Sequence, residues 1–199
     1  DVAEGIVGKI HLYLTERSAD AQILSQSSGI GNAVLWEQAV RPSHELVRVL
    51  NAYVHATGMY SLIHIVDLDG NLIAVNDHDA EGRPLLTEGL YGKNFGTTPW
   101  FRALHQTGER VGSSQSFSPR NMSQEVFVES PMVDRDVQTL FPQESGLTIG
   151  FSVPLYAQGR MVGYGSLRMK FSKIEAFFQE AYRNLKKAGF PNAELILQD

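Results

Sequence analysis

The 199-residue chain has no cysteine. Disulfides, thiolate metal sites, iron–sulfur clusters and cysteine nucleophiles are therefore excluded, and the redox compartment is left open. No apolar run approaches the ~18 residues of a membrane-spanning helix. Basic residues are not in excess: 17 Lys and Arg stand against 22 Asp and Glu, for a net charge of −5 and a pI near 5.7. That balance argues against a dedicated nucleic-acid binder, which would carry a basic stripe. The six histidines form no His-x-x-x-His pair, and there is neither a Gly-x-Ser-x-Gly elbow nor a Gly-rich loop ending in Lys-Ser/Thr. These absences count against a zincin, an α/β-hydrolase and a P-loop enzyme. Gly163-Tyr-Gly165 lies inside a strand pattern, so it is not a dinucleotide fingerprint. In Asp67-Leu-Asp-Gly-Asn71 the glycine comes too early for a calcium loop. Asp77-His-Asp79 reads as a solvated loop rather than a ligand set. No catalytic group, metal site or cofactor is expected.

What is present is ordinary globular material, with 43% apolar and 20% charged residues, enough for one large domain or one domain plus an appendage. The first residue, Asp1, reads as a cut or processed start. Ile6, Ile10, Tyr13, Ala21 and Leu24 recur at helical spacing, and nothing interrupts them before the Ser27-Ser-Gly-Ile-Gly31 break. A helix of about 25 residues would span roughly 38 Å. Its narrow apolar stripe fits either a surface helix lying across a domain or a stalk and dimer helix. A second amphipathic helix is expected from Ser43 to His55, with Ser43 as cap, Leu46, Val47, Leu50 and Val54 inward, and Gly58 as stop.

The period then changes from near 3.6 to 2. Tyr60 to Asp67 and Asn71 to Asn76 read as two strands of a hairpin turned at Asp69-Gly70. Residues 77–96 form a long polar loop. Pro99 to about Gln106 reads as a short helix with proline at its first position, ended by Gly108. Val111 to Phe117 and Glu125 to Met132 are expected strands, and 133–146 a polar insertion. Leu147–Ala157 and Arg160–Phe171 form a second hairpin turned at Gln158-Gly159. Ser172 should cap a last helix to Lys187, ended by Gly189-Phe-Pro. Residues 192–199 read as a further strand, which either joins the sheet or opens a second domain. Strands outnumber crossover helices, so the class is α+β with a mostly antiparallel sheet of five or six strands.

Four segments in this order resemble the Cache-type extracytoplasmic sensor domains of bacterial receptors. They are Val66-Asp-Leu-Asp-Gly-Asn-Leu-Ile, Gly96-Thr-Thr-Pro-Trp-Phe-Arg-Ala-Leu, Phe151-Ser-Val-Pro-Leu-Tyr and Gly159-Arg-Met-Val-Gly-Tyr-Gly-Ser-Leu. The resemblance implies a long N-terminal helix packed on a PAS-like antiparallel sheet. It divides the chain into a stalk or dimer helix (1–30), a sensor domain (31–190) and a tail that may begin a second domain (191–199). It also implies a periplasmic location, a homodimer along the first helix, and membrane attachment only through flanking helices.

The family's pocket lies between the sheet and the loop that carries the tryptophan. Its amino-acid-binding members hold the ligand with an arginine and an aspartate, because a buried zwitterion needs a counter-charge at each end. Here Thr98 stands at the arginine position, Phe101 replaces a tyrosine, Phe117-Ser-Pro replaces Tyr-x-Asp, and Gly165 replaces the strand aspartate. The expected lining is Trp100 and Phe101 as walls, Thr98 as donor and Tyr91 from the loop. Phe117, Tyr164 and His64 are secondary, and Arg120 is an anion partner if it is not simply solvated. Trp100 and His64 also fit ordinary core roles. A small carboxylate or a neutral molecule suits such a site. The alternative is a ligand-free module for dimerisation or for coupling to a partner.

Overall fold

The computed structural model describes residues 2–37, 44–112 and 126–190. Six helices and six strands follow one another: α1 (Val2–Ser25), α2 (Ala33–Glu37), α3 (His44–Thr57), β1 (Tyr60–Asp67), β2 (Leu72–Val75), α4 (Pro99–Gly112), β3 (Phe127–Val128), β4 (Met132–Val133), α5 (Arg135–Leu140), β5 (Leu147–Ala157), β6 (Arg160–Lys170) and α6 (Ser172–Lys187). The strands form one sheet in the order β2-β1-β6-β5-β3, with β4 also on β5, and every pair is antiparallel. The α+β expectation, with a long first helix on a mostly antiparallel sheet, holds.

Both hairpins form where turn chemistry and period 2 place them. Gly70 takes φ +82°, and Gln158 and Gly159 take φ 50° and 76°. A run of left-handed residues matches the twist of the flanking strands. One face of the sheet is covered by α1, α3 and α6. Tyr13, Ala21 and Leu24 of α1 and Leu46, Leu50 and Val54 of α3 pack there on Ile63, Ile65, Phe151, Val153, Leu155, Leu167 and Met169. The other face meets the 77–96 loop, α4 and α5, and gathers Leu62, Val66, Phe95, Trp100, Phe101, Leu104, Val137, Phe141 and Tyr164.

Strand β1 is bulged at Ser61: Tyr60 pairs with Met169 while Leu62 pairs with the next residue, Arg168. The extra residue turns Tyr60 onto the helix face. There the Tyr60 hydroxyl donates to Asp20 Oδ2 at 2.8 Å, and the Tyr53 hydroxyl donates to the Asp20 carbonyl at 2.7 Å. Burial and the Asp20 carboxylate both push the Tyr60 pKa up, so this hydroxyl stays a donor. Helix α1 is thus tied to both β1 and α3.

Several local expectations are corrected. Gly108 does not end α4, which continues to Gly112, so residues 111 and 112 are helical rather than the start of a strand. Tertiary support on α4 outweighs the roughly 1 kcal/mol that one glycine costs a helix. The expected strand from Glu125 to Met132 is instead two short strands, β3 and β4. The 133–146 insertion contains α5, capped by Asp134, whose side chain accepts from the amides of Asp136 and Val137. Helix α6 begins after Phe171, and Ser172 lies inside it without a capping role. Short helix α2 was not expected. The Ser43 cap and the 192–199 strand lie outside the described residues.

Candidate functional site

The sheet register decides which side chains share the face under α4. Leu62, His64 and Val66 of β1 stand opposite Arg168, Ser166 and Tyr164 of β6. Ser166 in turn pairs with Ser152, and Arg168 with Gly150, on β5. Three apolar-looking strands therefore place polar groups in one buried band. The Ser152 and Ser166 hydroxyls bond each other at 2.9 Å. Arg168 Nη1 donates to Glu129 Oε2, just beyond β3, and Arg168 Nε lies 3.2 Å from Asp134 Oδ2 at the head of α5. Side chains of Arg168, Glu129 and Asp134 are only 5%, 6% and 13% exposed. The ion pair crosses directly over Gly150, where a Cβ would collide with both the Glu129 carboxylate and the Arg168 guanidinium.

His64 is 1% exposed, and neither ring nitrogen has a hydrogen-bond partner. Its ring lies 5.0 Å from that of Phe95. Burial pushes its pKa down to about 4; the nearby Asp134 carboxylate opposes the shift and Arg168 adds to it. The imidazole is therefore neutral at pH 7, with one nitrogen a donor and the other an acceptor. Trp100 is fully buried between Phe95 and Phe101, the Arg168 guanidinium carbon lies 6.0 Å from its ring, and its indole N–H is also without a partner. An unmatched buried polar group costs about 1–3 kcal/mol. Two of them stand on one face of the sheet.

The expected lining residues divide. Trp100, Phe101, Tyr164 and His64 do converge. Phe101 and Tyr164 meet edge to face at 5.0 Å, and the Tyr164 hydroxyl lies 3.1 Å from His105 Nδ1. Thr98 is not a donor to this site: its hydroxyl donates to the Phe95 carbonyl at 2.7 Å, at the start of α4. Tyr91 is half-buried, and its hydroxyl accepts from the Val75 amide at 3.3 Å, so it braces the edge strand. Phe117 and Arg120 lie outside the described residues. Gly165 pairs with Ile65 and would aim a side chain at Leu155 and Val153 on the helix face. An acid at that position would not reach the band. Glu129, Asp134, Ser152, Ser166 and Arg168 were not anticipated. The signal for the last two was available, because Tyr164, Ser166 and Arg168 alternate with Gly165, Leu167 and Met169.

A separate cleft of about 280 Å³ opens between α1 and α6, lined by Ile10, Phe177 and Ala181 with Lys9 and Glu180 at its rim. Its lining is almost wholly apolar, and it lies on the helix side of the sheet. Its polar lining residues are Lys9, Glu180 and Asn184, with Lys9 Nζ 3.9 Å from Glu180 Oε1. Among the described residues no cluster of three or more His, Asp or Glu side chains could hold a metal ion, and no helix is long and apolar enough to cross a membrane.

No family model matches the sequence, and no curated protein matches it. Solved structures do match. The ligand-binding domain of the Campylobacter jejuni chemoreceptor Tlp3, in complex with 4-methylisoleucine, aligns at TM-score 0.57 and 11% identity over 89% of this chain and 59% of that one. The sensor domain of the Vibrio cholerae histidine kinase DctB aligns at 0.58 and 15%, over 89% and 57%. The ligand-binding domain of the Pseudomonas aeruginosa amino-acid chemoreceptor PctC, in complex with GABA, aligns at 0.56 and 16%, over 94% and 65%. This chain thus spans less than two thirds of the length of each. Its fold is the one found in the ligand-binding sensor domains of chemoreceptors and histidine kinases, consistent with the Cache-type sheet that the four sequence segments suggest.

Proposed function

We propose that this chain is the extracytoplasmic ligand-sensing part of a transmembrane receptor, with its ligand held between the sheet and α4. The observation that carries the reading is the pair of fully buried, unmatched polar side chains, His64 and Trp100, facing one another's neighbours across that face. The fold of the structural neighbours supports it, and two of them are described with a small bound molecule. The parts of those neighbours that align are described as ligand-binding or sensor domains. Binding would bias two packings of the sheet against its helices, and the signal would be limited by the ligand's differential affinity for them. Strand β1 is suited to carry it: His64 faces the site, while Tyr60, four residues earlier, is bonded to Asp20 of α1.

In this proposal residues 1–30 are a stalk or dimer helix, 31–190 the sensor domain, and 191–199 a tail that either joins the sheet or opens a second domain. Thermal denaturation against a panel of amines, carboxylates, amides and sugars tests the reading. A ligand that binds only the folded state raises Tm, and Trp100→Ala should abolish the rise. A second reading, a ligand-free coupling module, draws on the internal pairing of Arg168 with Glu129 and Asp134. A flat panel would favour it.

A further inference from the structure

His64 is held by the sheet, whereas what covers it belongs to another layer. It sits inside β1, between Val75 of β2 and Ser166 of β6, so strands grip its backbone on both sides. The imidazole is 1% exposed, and neither nitrogen has a hydrogen-bond partner. Over it lies Phe95, from the loop ahead of α4, with Trp100 of α4 beyond. Four charges act on the ring. Asp134 and Asp136 at the head of α5 favour its protonation, while Arg168 of β6 and Lys93 of the loop oppose it. They stand two against two, and burial outweighs them.

A protonated ring in this place would carry two N–H donors with no acceptor. Strand β1 cannot turn it out to solvent without breaking the ladders to β2 and β6. The cover can lift instead. Asn94 fastens the loop to the first hairpin, its side-chain amide donating to the Asp69 carbonyl at 2.8 Å. Beyond that pin the Phe95 amide donates to the Gly70 carbonyl at 2.7 Å, and Phe95, Trp100 and Phe101 rest on the sheet by ring packing. The helix face has a core of its own, so it need not unfold when this cover lifts.

We propose that the α4 face is an acid-operated latch, in which protonation of His64 lifts Phe95 and Trp100 off the sheet while β1 and the helix face stay folded. The inference goes beyond the ligand-sensing reading and needs no ligand. It makes the proton itself an input to the fold. With the ring at its ordinary pKa of 6.5 when uncovered and about 4 when covered, the lifted state takes up the proton first as pH falls. Its ratio to the closed state should rise about 30-fold from pH 7.5 to 5.0 and level off below pH 4.

Native-state hydrogen exchange on the purified chain, corrected for the intrinsic effect of pH, reads that ratio. Protection of the Trp100 indole N–H and of the Phe95 amide should fall about 30-fold between pH 7.5 and 5.0. The Leu50 and Val54 amides of α3 should keep theirs. His64→Gln and His64→Leu, both neutral throughout this range, should each abolish the fall. Should neither variant fold, the His64 Cε1 resonance of the unaltered chain decides: a midpoint well below 6.5 accompanying the fall supports the latch, and a midpoint near 6.5 overturns it. Unchanged Trp100 protection would overturn the proposal, as would a fall that persists in a folded His64 variant. An equal fall at Leu50 and Val54 would mark unfolding of the whole domain and overturn it too.

Discussion

The two faces of the sheet are built from the same strands and solve different problems. The helix face is apolar: Ile63, Ile65, Phe151, Val153, Leu155 and Leu167 are covered by α1, α3 and α6. At its margin the Tyr60 and Tyr53 hydroxyls are bonded to Asp20, beside a buried Arg17 Nε that has no hydrogen-bond partner. The α4 face is equally buried but keeps His64, Ser152, Ser166, Arg168 and Glu129 inside. It leaves His64 and the Trp100 indole unmatched. Buried polar groups without partners cost stability. A domain core would satisfy these groups or replace them with aliphatic ones.

Substitutions that act on one face only sharpen this contrast. The largest loss of stability is expected for Arg168→Ala, about 3–5 kcal/mol, because it strands Glu129 as a buried charge without a partner. Urea unfolding measures it, and an Arg168→Ala/Glu129→Ala double variant should recover part of the loss. A double variant as unstable as the single one would mean that packing of the arginine stem, not the charge, sets the cost.

Leu50→Ala, on the helix face, should cost about 2–5 kcal/mol through its cavity. Measured below its own melting transition, this variant should bind any ligand of the α4 face unchanged. A tenfold loss of affinity would show that the two faces are not separable.

His64 gives the contrast a pH signature. Its folded pKa, about 4, lies below the ordinary value of 6.5. The unfolded chain therefore takes up the proton first as pH falls. Stability from the neutral imidazole is fully present above pH 6.5 and is lost progressively between 6.5 and 4, by up to about 3 kcal/mol. His64→Gln should flatten that part of the pH–stability profile. Equal slopes in the two proteins would show that the imidazole meets solvent.

The smallest effect belongs to Tyr60→Phe. It removes one hydrogen bond to Asp20 and should cost about 1–2 kcal/mol, since the acceptor is charged. On the proposed sensing reading, its sharper use lies in the full-length protein, where it should reduce signalling output at saturating ligand while binding is preserved. Full output would remove β1 to α1 as the route of coupling.

Much of the scaffold was legible because it is written in local periods. The two hairpins follow from alternation and from Asp69-Gly70 and Gln158-Gly159, and α3 follows from Leu46, Val47, Leu50 and Val54. What escaped was decided by partners distant in sequence. Gly108 should have stopped α4, but the helix has the aromatic cluster to lie on. The polar run 133–146 looked like an insertion, yet Asp134 caps a helix and packs Val137 and Phe141 under the sheet.

The candidate site divides the same way. Trp100, Phe101, Tyr164 and His64 were within reach of motif and alternation. Thr98 and Tyr91 were drawn from the same stretch, but their hydroxyls are committed to backbone.

By itself the sequence determined a cysteine-free α+β domain with a long first helix, two secure hairpins and an aromatic segment at 95–101. Those features depend on neighbours a few residues away, where periodicity and turn chemistry act. The tertiary structure alone decided that residues 64, 129, 134 and 168 share one buried band. It also decided that Gly150 leaves room for the ion pair there, and that a bulge at Ser61 turns Tyr60 to α1. Such placements follow from strand register, in which one residue of slip exchanges the two faces, and register is set by the whole sheet at once.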